Sequence, residues 1–139
     1  MCTSFKVALL NGEMDFSSDT SQTFKIALYT SSATLNASTT AYSTTNEISG
    51  TGYTAGGNTL TISTNPTNAT SGTVAFLSFS DSTWASSTLT ARGALIYKSG
   101  GTNPSIAVLD FGADKSSSSS TFKVEFPNAS DTTAILRIG

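Results

Sequence analysis

EISGTGYTAGGNTL, Glu47 to Leu60, carries four glycines (Gly50, Gly52, Gly56 and Gly57) in a spacing that imitates a nucleotide-binding fingerprint. How this stretch is read decides the fold. A dinucleotide fingerprint needs a buried parallel strand before it and a helix N-terminus after it. It also needs an acidic ribose ligand about 20 residues on. Here Gly57 is followed by NTLTIST, a strand pattern, and TTAYSTTNEIS upstream is too polar for a buried parallel strand. No acidic residue stands at the expected distance. The glycines therefore mark a bend between strands, where positive φ or close backbone approach is needed. Tyr53, at its centre, packs across the bend or faces a neighbouring subunit.

Strand signals extend on both sides of the bend. TFKIALYT (23–30) sets Phe24, Ile26 and Leu28 on one face and Lys25 and Ala27 on the other. TLTIST (59–64) alternates. TVAFLSFS (73–80) is apolar on both faces, as a central or bulged strand would be. TLTARGALIYKS (88–99) is long and broken by Gly93, a bulge candidate. SIAVLDF (105–111), TFKVEF (121–126) and TAILRI (133–138) follow, with Phe122, Val124 and Phe126 inward. The segments 65–72, 99–104, 112–120 and 127–133 carry turn chemistry, and Asp81–Ser87 reads as a turn or short edge segment. Only SFKVALLNG (4–12) is ambiguous. Phe5, Val7 and Leu9 alternate as in a strand, yet Thr3 or Ser4 could cap a helix of one or two turns that Gly12 ends, and we favour the helix. FKVAL (5–9) and FKIAL (24–28) match, but two copies make no repeat architecture. The expected fold is all-β: a single-domain, jelly-roll-like β-sandwich over 1–139, with residues 1–20 packing on it.

The composition agrees. Of 139 residues, 24 are Ser and 24 are Thr, which favour turns and strands respectively. Charged residues make up 12% and hydrophobic ones 37%, so the chain is polar through hydroxyls and can still build a core. The net charge is -2, with seven Lys and Arg scattered singly. That pattern argues against a nucleic-acid partner. No apolar run suits a membrane span or a signal peptide, and Cys2 has no disulfide partner. Three Asn-x-Ser/Thr sequons, at Asn36, Asn68 and Asn128, are expected by chance in such a composition.

Reaction chemistry finds little to work with. The chain has no histidine, hence no His-based triad and no imidazole metal ligand. Cys2 lies near a terminus expected to be floppy, with no base beside it. Carboxylates at Glu47, Asp81, Asp110, Asp114 and Glu125 are not paired in sequence as a glycosidase requires. Asp110 is expected to cap a turn or pair with Arg92 or Lys115. We therefore expect no enzyme, no cofactor and no metal. Trp84 reads as a lid on the core, or as an interface or sugar-stacking residue. Arg92 reads as an outward salt-bridge partner, or as a contact crossing between subunits. With Tyr42 and Tyr53 these form the candidate interface set.

FKIALYTSSATLNASTTAYSTTNEISGTGYTAGG (24–57), TWASSTLTARGALIYKS (83–99), AVLDFGADK (107–115), TFKVEFP (121–127) and ILRI (135–138) resemble a family of small virion proteins of tailed bacteriophages. The likeness covers roughly Phe5 to Ile138 and is most specific from Tyr42 to Gly57 and in ARGALIY. The resemblance implies a β-sandwich structural protein of the particle, with no catalytic residues to carry over. Within it we expect a capsid decoration, or cement, protein on the capsid surface, assembled in host cytoplasm. Its partners would be the major capsid protein and further copies of itself, as a trimer or dimer. The segments 65–72 and 112–120 would grip capsomers. The alternative is a tail or head-fibre component binding a host-surface glycan through exposed Tyr42, Tyr53 and Trp84.

Overall fold

The structure is a computed structural model that describes residues 1–66 and 70–139. It opens with α1 (Thr3–Leu10). Helical rather than strand spacing prevails because Phe5 and Ala8 are buried on one side and Leu9 packs beside them. No side chain caps the first turn. Instead the Cys2 amide donates to the Ile106 carbonyl at 2.8 Å and the Thr3 amide to Ala37 at 2.8 Å, so tertiary partners satisfy donors that a helix start leaves orphaned. At the other end Gly12 adopts φ +72°. The Gly12 amide reaches Leu9 and the Glu13 amide reaches Ala8, the pairing of a left-handed helix stop. Cys2 is fully buried, which corrects the expectation of a floppy terminus.

Among the described residues eight strands form two antiparallel sheets, the sandwich-like all-β fold expected. The first has the order β2 (Asn58–Leu60), β1 (Thr23–Tyr29), β6 (Ser82–Ser99), β7 (Ser105–Val124). In the second, β5 (Val74–Phe79) is central and pairs β3 (Ile62–Thr64), β4 (Thr70–Ser71) and β8 (Leu136–Ile138). Between them runs an aromatic spine: Phe16 stacks on Phe24 at 4.6 Å, Phe24 meets Phe79 at 6.2 Å, and Phe79 meets Phe126 at 5.9 Å. Met14 and Phe16 place the N-terminal segment in this shared core. No helix among the described residues is long and apolar enough to cross a membrane.

Three segments depart from expectation. Thr59–Thr64 is two strands in two sheets: Leu60 pairs Phe24, Ile62 pairs Phe79, and the chain crosses over at Thr61. Asp81–Ser87 is no turn, because β6 begins at Ser82. Residues 112–120 are no linker either but the middle of β7. Of the expected 65–72 loop, 67–69 lie outside the described residues, with the Asn68 sequon.

The serine run stays in a strand because its hydroxyls repair the ladder. Register shifts put one extra residue on β6 between Trp84 and Ser87, then one extra on β7 between Ser117 and Ser120, so the two bulges cancel. Ser87 and Ser117 are buried there. The Ser117 hydroxyl accepts from the Leu89 amide at 3.2 Å and lies 2.8 Å from Ser87 Oγ. Ser87 Oγ donates to the Ser120 carbonyl at 2.9 Å and accepts from the Phe122 amide at 3.3 Å. Hydroxyls thus pair backbone groups that a bulge would otherwise strand. A larger shift between Ala91 and Gly93 puts three extra residues on β7, between Asp110 and Lys115, so the bulge expected at Gly93 lies instead on the strand opposite it.

Candidate functional site

The outer face of the first sheet carries Ala27, Tyr29, Leu95 and Tyr97, a second apolar cluster covered by the segment between β1 and β2. Ala27 lies on the face opposite Phe24, Ile26 and Leu28, as expected, and is fully buried because this cover lies over it. The cover has almost no ladder of its own, so side chains must tie it down.

They converge on Glu47. Tyr42 Oη donates to Glu47 Oε2 at 2.6 Å, while Tyr53 Oη at 2.7 Å and the Gly56 amide at 2.7 Å both donate to Oε1. Tyr53 Oη also accepts from the Leu28 amide at 2.9 Å. Since β2 pairs only residues 24–26 of β1, that hydroxyl stands in for a missing strand. Ile48 supplies the complementary donor to the Leu28 carbonyl at 3.0 Å. Tyr97 Oη donates to the Gly56 carbonyl at 2.8 Å and Tyr29 Oη to the Ser43 carbonyl at 2.6 Å. The rings of Tyr42 and Tyr97 stack at 4.6 Å. All four tyrosines of the chain therefore serve one clamp.

The glycines of the bend make the clamp geometrically feasible. Gly57 sits at φ +67°, and a Cβ there would stand 1.8 Å from the Ile26 carbonyl oxygen, backbone that cannot yield. The bend reading of this stretch holds: β2 starts at the next residue.

Burial pushes Tyr29 up to about 12. Tyr42 and Tyr53 are raised further, first by burial and then by donating to the Glu47 carboxylate. Tyr97 is raised by burial and by the Glu47 charge. These phenols stay protonated donors across the ordinary pH range.

Trp84 is 4% exposed, stacked on Tyr53 at 6.0 Å and edge-on to Phe122 at 6.1 Å. It is a core residue, as the lid reading held, and cannot serve as an exposed sugar platform. Tyr42 and Tyr53 are half-buried with their hydroxyls engaged, so they too fall short of that role. Arg92 is separate from the clamp. It pairs with Asp110 across 3.5 Å on an exposed rim, the outward salt bridge expected. Asp110 Oδ1 also accepts from the Gly112 amide at 2.8 Å, and this bond first, then Arg92, holds its carboxyl below the usual range. Arg92 and Asp110 meet Tyr29 only across a groove of about 280 Å³ floored by Ala33, Leu35 and Val108.

Sequence reasoning picked Tyr42 and Tyr53 but missed Glu47 as their hub, along with Tyr29 and Tyr97. The signal was present: Lys25, Ala27 and Tyr29 share a face, and Glu47 stands between Tyr42 and Tyr53 in one connecting segment. Elsewhere, Lys123 bridges Asp81 at 2.7 Å and Glu125 at 3.3 Å on the surface. Among the described residues no three Cys, Asp or Glu side chains converge as a metal would need.

Fold and site define a small antiparallel sandwich-like protein whose loop cover is latched by a tyrosine–carboxylate clamp. No protein-family model, curated protein or solved structure matches the chain.

Proposed function

We propose that this chain is a structural protein of a tailed-bacteriophage virion, a capsid decoration protein that stabilises the head by binding across capsomer junctions. The observation that carries this reading is the open edge of the first sheet. There β6 is the only strand that pairs β7 among the described residues; Thr40 and Cys2 take up the Ser105 amide and the Ile106 carbonyl at its start, while its Ser-rich middle is largely exposed. Such an edge offers backbone and hydroxyl hydrogen bonds to a neighbour, each worth about 0.5–1.5 kcal/mol net, and a lattice multiplies weak contacts into firm attachment. Asp110, Asp114, Lys115 and Lys123, together with the bulge near Gly112, keep the edge from pairing indiscriminately.

The clamp supports the same reading. Both Glu47 oxygens are occupied by internal donors, so its groups fix shape rather than face a substrate. Glycan binding through Tyr42, Tyr53 and Trp84 has no such support, because their polar atoms and rings are used internally or buried. The test is stoichiometry in purified particles. Hundreds of copies per virion are expected, with earlier DNA release on heating when the protein is stripped off; a handful of copies, confined to the tail, overturns the proposal.

A further inference from the structure

Tyr29, Gly93 and Asp110 stand opposite one another on β1, β6 and β7, so their side-chain positions form one row on the outer face of the first sheet. The middle of that row is empty. A Cβ at Gly93 would stand 2.6 Å from the Leu109 carbonyl oxygen, so no side chain fits there. This gap lies in the groove of about 280 Å³ that Arg92 and Asp110 rim and that Leu35 and Val108 floor. The polar groups of the rim are only partly engaged. Arg92 meets Asp110 through Nε alone, and Asp110 takes both Arg92 and the Gly112 amide on Oδ1. The Arg92 Nη groups, Asp110 Oδ2 and the Ser31 hydroxyl have no partner among the described residues. Tyr29, by contrast, commits its hydroxyl to the Ser43 carbonyl and offers the groove only its ring.

We propose that this groove binds a single neutral sugar ring. One ring hydroxyl donates to Asp110 Oδ2 and its neighbour accepts from Arg92 Nη, a match that a vicinal diol makes and a lone hydroxyl does not. The C–H face of the ring lies on Leu35 and Val108, and Ser31 supplies a further hydroxyl contact. Charge disfavours the other ligand classes. Asp110 repels an anion that Arg92 draws, and Arg92 repels a cation that Asp110 draws, so the pair as a whole favours a neutral molecule. Size agrees: the groove falls just short of the roughly 300 Å³ at which pockets for drug-sized ligands begin, which suits one ring rather than a chain. With few bonds, formed on an exposed rim, the affinity is about millimolar. Of the residues singled out from the sequence only Arg92 takes part, so this site is distinct from Tyr42, Tyr53 and Trp84.

Proton–nitrogen correlation NMR of the labelled full chain tests this, with methyl glucopyranoside, methyl galactopyranoside and methyl mannopyranoside each titrated to about 100 mM. At least one of them is expected to give saturable shifts confined to the amides of residues 29–31, 92–93 and 108–110, with a Kd of about 1–10 mM. Arg92→Ala and Asp110→Ala each weaken that binding about tenfold or more. The rest of their spectra stays that of the wild type, because the pair is exposed and adds little to stability. Lys6→Ala, outside the groove, leaves binding unchanged. No phage component enters this experiment and no sugar enters the count of copies per virion, so either proposal can fail alone. Absence of saturable shifts with all three sugars, shifts centred outside the groove, tighter binding of inorganic phosphate at the same amides, or undiminished binding by either groove variant overturns the proposal.

Discussion

The two faces of the first sheet are covered by different means. The inner face, with Phe24, Ile26, Leu28 and Ile96, meets another sheet whose backbone is already satisfied by its own ladder, so packing alone suffices. The outer face, with Tyr29 and Tyr97, meets a connecting segment whose backbone groups need partners. Tyrosine suits that task because one end of it buries as a ring and the other makes a directed hydrogen bond. Where a sheet is covered by a sheet, phenylalanine appears; where it is covered by a loop, tyrosine does.

The largest effect that sharpens this contrast is Phe24→Ala. Phe24 sits between Phe16 and Phe79 at the middle of the spine. Its truncation should cost about 3–5 kcal/mol in urea unfolding, since both sheets lose a shared contact. A loss under about 1 kcal/mol would mean that the spine is not the common core. Next comes Glu47→Gln, which keeps the shape but removes the charge that two phenols and an amide address. About 2 kcal/mol is expected, with amide exchange quickened at Gly56 and Leu28 and unchanged along β5. Equal loss of protection in both sheets would show that the cover and the core are one cooperative unit.

Alkaline titration tests the clamp as a whole. The tyrosines have folded pKa values raised above their unfolded value of about 10. A raised pKa contributes stability that is complete below the unfolded value and is lost as pH rises through the folded one. Stability should therefore hold to about pH 10 and fall towards pH 12, the value for Tyr29. Phenolate absorbance should appear together with unfolding. A phenol that ionises reversibly near pH 10 in the folded chain would show the clamp to be open.

What the sequence disclosed follows the same division. Period-two patterns located β1 and the end of β7, because burying one face of a strand imposes that period directly, while β5 was legible as a short apolar run. The bend of Glu47–Leu60 was legible because glycine at positive φ has few substitutes. Residues 112–120 were not legible: serine is a turn former by composition, and only the three-dimensional pairing of Ser87 with Ser117 shows hydroxyls mending bulges. Glu47 was hidden for a related reason. A lone carboxylate in a polar segment gives no periodic signal, and although its donors Tyr42, Tyr53 and Gly56 lie within nine residues of it, their spacing matches no regular element.

Trp84 lies where the two kinds of packing meet, and the smallest expected effect belongs to it. Its ring touches Tyr53 of the clamp and Phe122 of the core, yet its Nε1 proton is buried without an acceptor. If the indole acts only through packing, Trp84→Phe trades lost contact area against relief of an unsatisfied donor, which by itself costs about 1–3 kcal/mol. The two terms oppose, and thermal unfolding should register a net change within about 1 kcal/mol. Trp84→Ala, which loses the area with less left to fill it, should cost about 3–5 kcal/mol. A Phe substitution as damaging as the Ala one would mean that the indole proton has an acceptor, and that the polar bonding of the tyrosine side extends past Tyr53 into the core.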